Sequence, residues 1–328
     1  MTLSERWNNF WFADAPYFDL AVMRIACVAF QCFFLLDSQF GAVQYVLSLP
    51  ADMYHPPVLM WALTGGTEPW TASVIYPLYW ITVLAGFAAL VGLLTNASMV
   101  VFSLCNLYLQ LFIFSFGDYH HPEAIMVIGL LALALSPCGK LFSVDNLIAR
   151  FRGTAPVGGT SVPLLDYKGP YAGWPIKFIQ CFFPLMYISA AVAKVAYSGY
   201  SLEWANGYTL QYYFIQDDIR KVSPLALWAS QWHTVIFLGQ ITVLFYQMTY
   251  FLVVPYPKLR WIYLPIGMGF HLANYLIIKA PFPQWILFLL VAYIPWSLAL
   301  KKLYETRVLV PSPSAARETT PVEARVTS

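Results

Sequence analysis

The chain has 328 residues, of which 59% are hydrophobic and only 10% are charged. About 25% of the residues of an ordinary soluble domain are charged, so this chain has too few charges to cover a surface in water. The composition excludes a soluble globular enzyme, a disordered protein and a secreted disulfide scaffold, and it indicates a polytopic membrane protein. The net charge of +2 gives no sign of a nucleic-acid partner.

Long apolar runs predict an all-α fold with about eight transmembrane helices, since roughly 20 residues are needed to cross a bilayer. The predicted spans are residues 17–37, 74–94, 97–116, 122–137, 174–195, 233–254, 261–278 and 282–300. We expect residues 1–16 to lie in the membrane interface, residues 17–308 to form the transmembrane domain, and the polar residues 309–328 to form a disordered tail. Neither an internal repeat nor a broken helix is indicated, which disfavours a transporter.

Basic residues concentrate on the loops at one side of this predicted array. The loops at the other side carry only Arg220, Lys221 and Lys279. Because loops rich in lysine and arginine stay in the cytoplasm, both termini are predicted to be cytoplasmic. The five cysteines lie in or at the end of apolar runs without CxxC spacing, and no HExxH motif occurs, so neither disulfides nor a metal site is predicted.

Lys194 lies near the outer end of the fifth predicted span and shares a helical face with Tyr187 and Ala191. Such a lysine either snorkels to the interface with its charge, or loses its proton in an apolar pocket and acts as a general base. The positions one helical turn away hold no acid. The local sequence therefore favours an amine that is easily deprotonated, provided that its surroundings exclude water.

Further polar residues lie in or beside the predicted spans. His271 and Asn274, on the seventh span, either pack against a neighbouring helix or face Lys194 in a site. His120 and His121 form either an ordinary outer turn or the lid of a pocket.

Arg24 lies inside the first predicted span, where an arginine needs an acidic or carbonyl partner. We interpret it as a structural clamp between helices. His233, Gln240 and Gln247 follow one another at heptad spacing on the sixth span, which predicts hydrogen bonds between helices.

Six motifs occur in one order along the chain: LAVMRIA at 20–26, GDYHHPEAI at 117–125, SVDNL at 143–147, YISAAVAKV at 187–195, EWANGY at 203–208 and FHLANYLI at 270–277. Together they resemble the HTTM (horizontally transferred transmembrane) domain proteins and the related vitamin K-dependent gamma-glutamyl carboxylases. The resemblance covers about residues 17–295, nearly the whole predicted membrane part.

The resemblance implies a lyase-type, quinol-linked membrane enzyme. Lys194 matches the family lysine that deprotonates reduced vitamin K; oxygen then adds, the resulting strong base permits carboxylation of a substrate, and the quinol becomes an epoxide. His121 or His120, together with His271, would stabilise the quinol oxygen and the developing base.

The resemblance also implies a cofactor and partners. The cofactor would be a reduced quinone, vitamin K or menaquinone hydroquinone, bound near Tyr187, Asn274 and Trp204. The substrate would be a small or lipid-linked molecule, and the surroundings would be the lipids of a bacterial inner membrane. The alternative function is a non-catalytic quinone- or lipid-binding membrane subunit, or an assembly factor.

Overall fold

A computed structural model describes residues 1–66, 68–117, 121–154, 164–221 and 223–308 of the chain. Within these residues the fold is helical, apart from a two-residue antiparallel ladder between β1 (Ala15–Pro16) and β2 (Lys168–Gly169). The predicted all-α membrane fold is therefore confirmed. The expected tail 309–328 lies outside the described residues.

The helices before the ladder strand β2 are α1 (Leu3–Trp11), α2 (Tyr17–Phe34), α3 (Phe40–Leu47), α4 (Val58–Thr64), α5 (Ala72–Val91), α6 (Thr95–Phe114), α7 (His121–Ala134) and α8 (Val144–Phe151). Those after it are α9 (Trp174–Tyr197), α10 (Tyr208–Lys221), α11 (Pro224–Ser230), α12 (His233–Thr249), α13 (Arg260–Ile278), α14 (Pro283–Tyr293) and α15 (Trp296–Val308).

Six helical segments of the described chain are long and apolar enough to cross a bilayer: Tyr17–Leu47, Ala72–Val91, Thr95–Phe114, Trp174–Tyr197, His233–Val253 and Pro257–Ile278. The first is longer than predicted, because α2 continues into α3 through a π-helical turn at Leu35–Gln39. The Tyr79 hydroxyl donates to the Leu35 carbonyl at 2.7 Å. This bond ties the π turn to α5.

The predicted count of about eight spans is not confirmed, because two of the predicted spans differ from the structure. Helix α7 has 14 residues and is about 21 Å long, shorter than the roughly 30 Å hydrocarbon core. The last predicted span is a bent pair, since α14 and α15 meet at 61°. Pro295 lies between them, where its missing N–H ends the helical hydrogen bonding. This bent pair, a broken span or a re-entrant loop, was not indicated by the sequence analysis.

Helices α7 and α14 pack against each other. A Cβ on Gly129 would lie 2.4 Å from the Phe288 ring, so the glycine allows this close approach. The Phe282 ring, just before α14, lies 5.3 Å from that of His271. His271 lies seven residues before Ile278, the last residue of α13, or about 10 Å along the helix axis. The residue before α14 therefore packs at the level of His271, within the candidate span Pro257–Ile278.

Arg24 joins three segments at one end of the helix array. Its side chain is fully buried and donates to the carbonyls of Ala89, at 2.9 Å, and Phe142, at 2.5 Å. Gly92 makes room for it: a Cβ there would lie 2.6 Å from the Arg24 Nη1, and its φ of +73° also favours glycine. Arg24 thus connects α2 to the end of α5 and to the segment before α8.

The first and last parts of the chain meet at this same end, which we call the inner end after the sequence prediction. The Asp19 carboxylate accepts from the backbone N–H and the hydroxyl of Ser297, at 2.7 and 3.0 Å. Lys301 forms an ion pair of 3.0 Å with Asp166. These bonds hold α15 against α2 and the segment before β2.

Asp145, on α8, caps the start of α6. Its carboxylate accepts from the N–H groups of Leu94 and Thr95, at 2.9 and 2.6 Å, and from the Thr95 hydroxyl at 2.8 Å. Burial raises the pKa of Asp145, but these hydrogen bonds and the Arg24 charge outweigh burial and lower the pKa from its ordinary 3.8. The charged carboxylate therefore stabilises the fold.

We predict that Asp145→Asn lowers the free energy of unfolding by about 1–3 kcal/mol at neutral pH, the worth of a hydrogen bond to a charged group. Because the folded-state pKa is lowered, the stabilisation is complete above the ordinary pKa and is lost as the pH falls through the folded-state value. Thermal unfolding of both proteins against pH measures the difference, which should vanish in acid. The exposed Asp52→Asn is the matched control; a pH-independent gap for Asp145→Asn would contradict the prediction.

Candidate functional site

Lys194 lies on α9 and is held by neutral oxygen atoms. Its Nζ donates to Gln247 Oε1 on α12 at 3.0 Å and to the Ala190 carbonyl at 3.2 Å. The side chain is half-buried. Among the described residues, the ion pair between two side chains joins Lys301 to Asp166 at the inner end. No carboxylate of the described residues contacts Lys194. The surroundings therefore do not require a charged amine.

Trp204 covers the same amine. Its ring centre lies 5.2 Å from the Lys194 Nζ, a distance at which the ring face attracts a cation. The Trp204 N–H donates to Ser198 Oγ at 3.2 Å, and this hydroxyl donates to the Lys194 carbonyl at 2.6 Å. The Trp204 backbone is thus attached to the helix that carries the lysine.

Gln240, on α12, fixes the other side of the 203–208 segment. The side chain is fully buried; its Nε2 donates to the Trp204 carbonyl at 2.7 Å and its Oε1 accepts from the Gly207 N–H at 2.6 Å. His233 packs on the neighbouring Tyr208, with 4.2 Å between ring centres. The position of Trp204 over the lysine therefore depends on α12 as well as on α9.

A hydrogen-bonded tyrosine–histidine pair lies closer to the inner end on the same face of α9. The Tyr187 hydroxyl and His271 Nε2 are 2.8 Å apart, in side chains that are 2% and 3% exposed. Tyr187 precedes Lys194 by seven residues, or about 10 Å along the axis. His271 therefore contacts Tyr187, one layer below the lysine, rather than Lys194 itself.

Aromatic rings surround this pair. The Trp285 ring centre lies 5.1 Å from that of Tyr187 and 5.5 Å from that of His271. Tyr246 and Tyr250, from the end of α12, contact the Tyr187 ring at 5.3 and 5.0 Å. The site therefore consists of an amine above and a polar pair below, within aromatic walls.

Of the remaining predicted site residues, Asn274 makes no hydrogen bond to Lys194, and the two histidines are not described by their side chains. The Asn274 carbonyl accepts from the N–H groups of Lys279 and Ala280 at the end of α13, and its side chain makes no hydrogen bond within the described residues. His120 lies outside the described residues. His121 begins α7, which packs against α9, but its side chain is not among those described.

Two surface cavities lie away from Lys194. One of about 520 Å³ lies at the inner end between α6 and α8, beside Asp145, and one of about 340 Å³ is lined by Asp52, His55 and Phe116. Within the described residues, no cluster of three or more histidine, cysteine, aspartate or glutamate side chains could hold a metal ion.

The residues that sequence reasoning did not assign to the site are Gln240, Gln247 and Trp285. The heptad stripe on the sixth span was the signal for the two glutamines, and its predicted hydrogen bonds to other segments are confirmed. The stripe could not show that Gln247 bonds to Lys194, 53 positions away. No sequence signal distinguished Trp285 from the other tryptophans of the chain.

A family model of the HTTM domain matches residues 16–296. The chain belongs to the HTTM-domain family. The match begins at the start of α2 and ends at the start of α15, so it contains Arg24, Lys194 and His271. No curated protein and no solved structure matches this HTTM-domain chain.

We predict that Gly207→Ala lowers the free energy of unfolding by about 1–3 kcal/mol. Gly207 has a φ of +92°, and a Cβ there would lie 2.5 Å from the His233 ring, so the 203–208 segment would have to move. Thermal unfolding of the purified protein measures the loss. Gly65→Ala is the control, because Gly65 has a φ of +63° and open space around it; equal losses for both variants would show that the contact with His233 is unimportant.

Proposed function

We propose that this HTTM-domain protein is a quinol-linked membrane enzyme in which Lys194 is the general base. The observation that carries the proposal is the surroundings of the Lys194 amine: two neutral oxygen acceptors and an aromatic ring. A neighbouring carboxylate would hold the proton on a lysine, whereas neutral acceptors in a low-dielectric site do not. Such an amine can take a proton from a substrate.

The ligand proposed to bind between Lys194 and the Tyr187–His271 pair is a quinol. This molecule is a flat aromatic ring with an oxygen at each end and an apolar tail. The Trp204 ring lies near the Lys194 amine, and the rings of Tyr246 and Trp285 lie against Tyr187. These rings would supply flat apolar walls, and hydrogen-bonding groups stand at two levels along α9. The amine would face one oxygen, while the Tyr187–His271 pair would face the other. The tail would extend into the surrounding lipid.

The residues around Lys194 can also accommodate its charged form. When Lys194 accepts a proton from a quinol hydroxyl, Gln247 Oε1 continues to accept an N–H bond, and the Trp204 ring attracts the new ammonium. The new ammonium stabilises the negative charge on the oxygen that gave up the proton, while the Tyr187–His271 pair would hydrogen-bond to the other oxygen and orient the ring. A bound reduced quinone supplies two electrons for reaction with oxygen, as in the carboxylases that the motifs resemble.

The depth of the site indicates which substrates it takes. Lys194 and the Tyr187–His271 pair lie on membrane-spanning helices, so the substrate reaches them from the membrane or its outer edge. We therefore propose carboxylation, or a related reaction, of a small or lipid-linked molecule. The location proposed is the inner membrane of a bacterium.

We predict that Lys194→Ala abolishes oxidation of menaquinol by the purified protein in oxygenated buffer, because the base is missing. A small primary amine added to the solution should restore part of the rate. Lys194→Arg should stay inactive, because a guanidinium remains protonated. The measurement is formation of the quinone epoxide. Lys279→Ala, which removes a lysine over the Tyr275 ring at the end of α13, is the control and should keep the rate.

Two outcomes would count against the proposal. An active Lys194→Arg protein would show that only positive charge matters, and the general-base role would have to be dropped. A wild-type protein that binds menaquinol but forms no epoxide would favour the non-catalytic quinone-binding subunit.

A further inference from the structure

The Trp204 ring lies over the Lys194 amine, with 5.2 Å between the ring centre and Nζ. Trp204 belongs to a single 3₁₀ turn, Glu203–Ala205, that follows α9. A turn of three residues has too few hydrogen bonds of its own to hold a fixed position. Contacts from other segments therefore determine where the ring lies.

Gln240 holds this turn by two hydrogen bonds. Its Nε2 donates to the Trp204 carbonyl at 2.7 Å, and its Oε1 accepts from the Gly207 N–H at 2.6 Å. The side chain is fully buried, so a displaced turn would leave both ends of the carboxamide without these partners, which costs free energy. Gln240 therefore keeps the Trp204 backbone in one place.

Helix α12 holds the amine as well as the ring. Gln247 accepts from the Lys194 Nζ at 3.0 Å, and Gln240 lies seven residues earlier on the same helix, or about 10 Å along its axis. One helix therefore fixes the distance between the amine and the ring. The hydrogen bonds of Gln240 go to the 203–208 backbone and not to Lys194, so its effect on the amine has to pass through Trp204.

No charged side chain competes with the ring for the amine within the described residues. The titratable side chains on the elements around Lys194 are those of Tyr187 and Tyr197 on α9, Glu203 and Tyr208 on the 203–208 segment, His233 and Tyr246 on α12, Tyr250 just after it, His271 on α13, Glu123 on α7, Tyr293 on α14 and Asp19 on α2. The hydrogen bonds of the amine go instead to Gln247 and to the Ala190 carbonyl. The attraction of the ring is therefore not outweighed by a neighbouring charge.

We propose that Gln240 is a positioning residue, which holds Trp204 over Lys194 and so raises the affinity of the amine for a proton. This inference rests on the proposed role of Lys194 as the base and adds the residue that tunes it. The face of the indole ring attracts an ammonium but not a neutral amine, so the ring favours the protonated form. A base needs this affinity, because an amine that holds a proton too weakly takes none from a hydroxyl.

The test is the pH dependence of Lys194 acetylation by acetic anhydride in the full chain in lipid nanodiscs, read by mass spectrometry of the peptide that contains Lys194. Only the neutral amine reacts, so the midpoint pH reports its protonation. Trp204→Leu should lower the midpoint by about 0.5–1.5 pH units, the worth of a cation–π contact away from water. Gln240→Met, which keeps the length of the side chain without its polar groups, should lower it similarly. The double variant should lower it no further than Trp204→Leu, because both changes remove one interaction.

Two further variants complete the test. Gln240→Glu should restore the wild-type midpoint, because a buried carboxyl group stays protonated and can make both hydrogen bonds. Thr242→Val is the control on α12 and should leave the midpoint unchanged, since the Thr242 hydroxyl bonds only to the Leu238 carbonyl of its own helix.

The outcomes separate this inference from the function on which it rests. An unchanged midpoint in Gln240→Met, or an additive shift in the double variant, would overturn the positioning role. If Gln240→Met does not fold, Trp204→Leu decides, since an unchanged midpoint there leaves Gln240 nothing to act through. The predicted midpoints in a protein that forms no epoxide from menaquinol would support the positioning of Trp204 and overturn the quinol-linked function.

Discussion

Lipid hydrocarbon offers no hydrogen bonds, so polar groups within this helix array have to bond to one another. The architecture follows this constraint at several points. The Arg24 guanidinium donates hydrogen bonds to backbone carbonyls of α5 and of the segment before α8. Gln31 donates to Asn106 at 2.9 Å and so joins α2 to α6. Gln240 holds the 203–208 segment by two bonds. Each of these hydrogen bonds fixes the orientation of a helix or segment that apolar contacts alone would leave free to rotate.

Arg24 and Lys194 both donate to neutral oxygen atoms, but the two side chains differ in whether they can lose a proton. Both cationic side chains lie on membrane-spanning helices and donate to neutral oxygen atoms. A guanidinium keeps its proton under such conditions, so Arg24 remains a fixed charge that holds segments together. A lysine can release its proton. The choice of side chain, rather than the choice of partners, therefore separates a structural cation from a candidate base.

Hydropathy predicted most of the fold because the length of an apolar run is a property of sequence alone. Hydropathy did not predict the short length of α7 or the bend between α14 and α15. These features depend on packing between helices, such as that of the Phe288 ring against Gly129. Pro295 was a visible sign of the bend. For the site, the sequence pointed to Lys194 and His271, but not to the partners Gln247 and Trp285. Those contacts join helices far apart in sequence, and no local pattern encodes them.

The depth at which α14 begins has an electrical consequence. Its first turn packs at the level of His271, seven residues before the end of α13. The non-helical backbone of residues 279–282 therefore runs beside a membrane-spanning helix and needs protein or water as its hydrogen-bond partner. The insulating part of the array is therefore its inner portion, filled by fully buried rings such as Phe183, Phe288 and Tyr293. The transmembrane voltage falls mainly across that insulating part. Were Lys194 to exchange a proton with the solution at the membrane face nearer to it, as the proposed base would, that proton would cross little of this field.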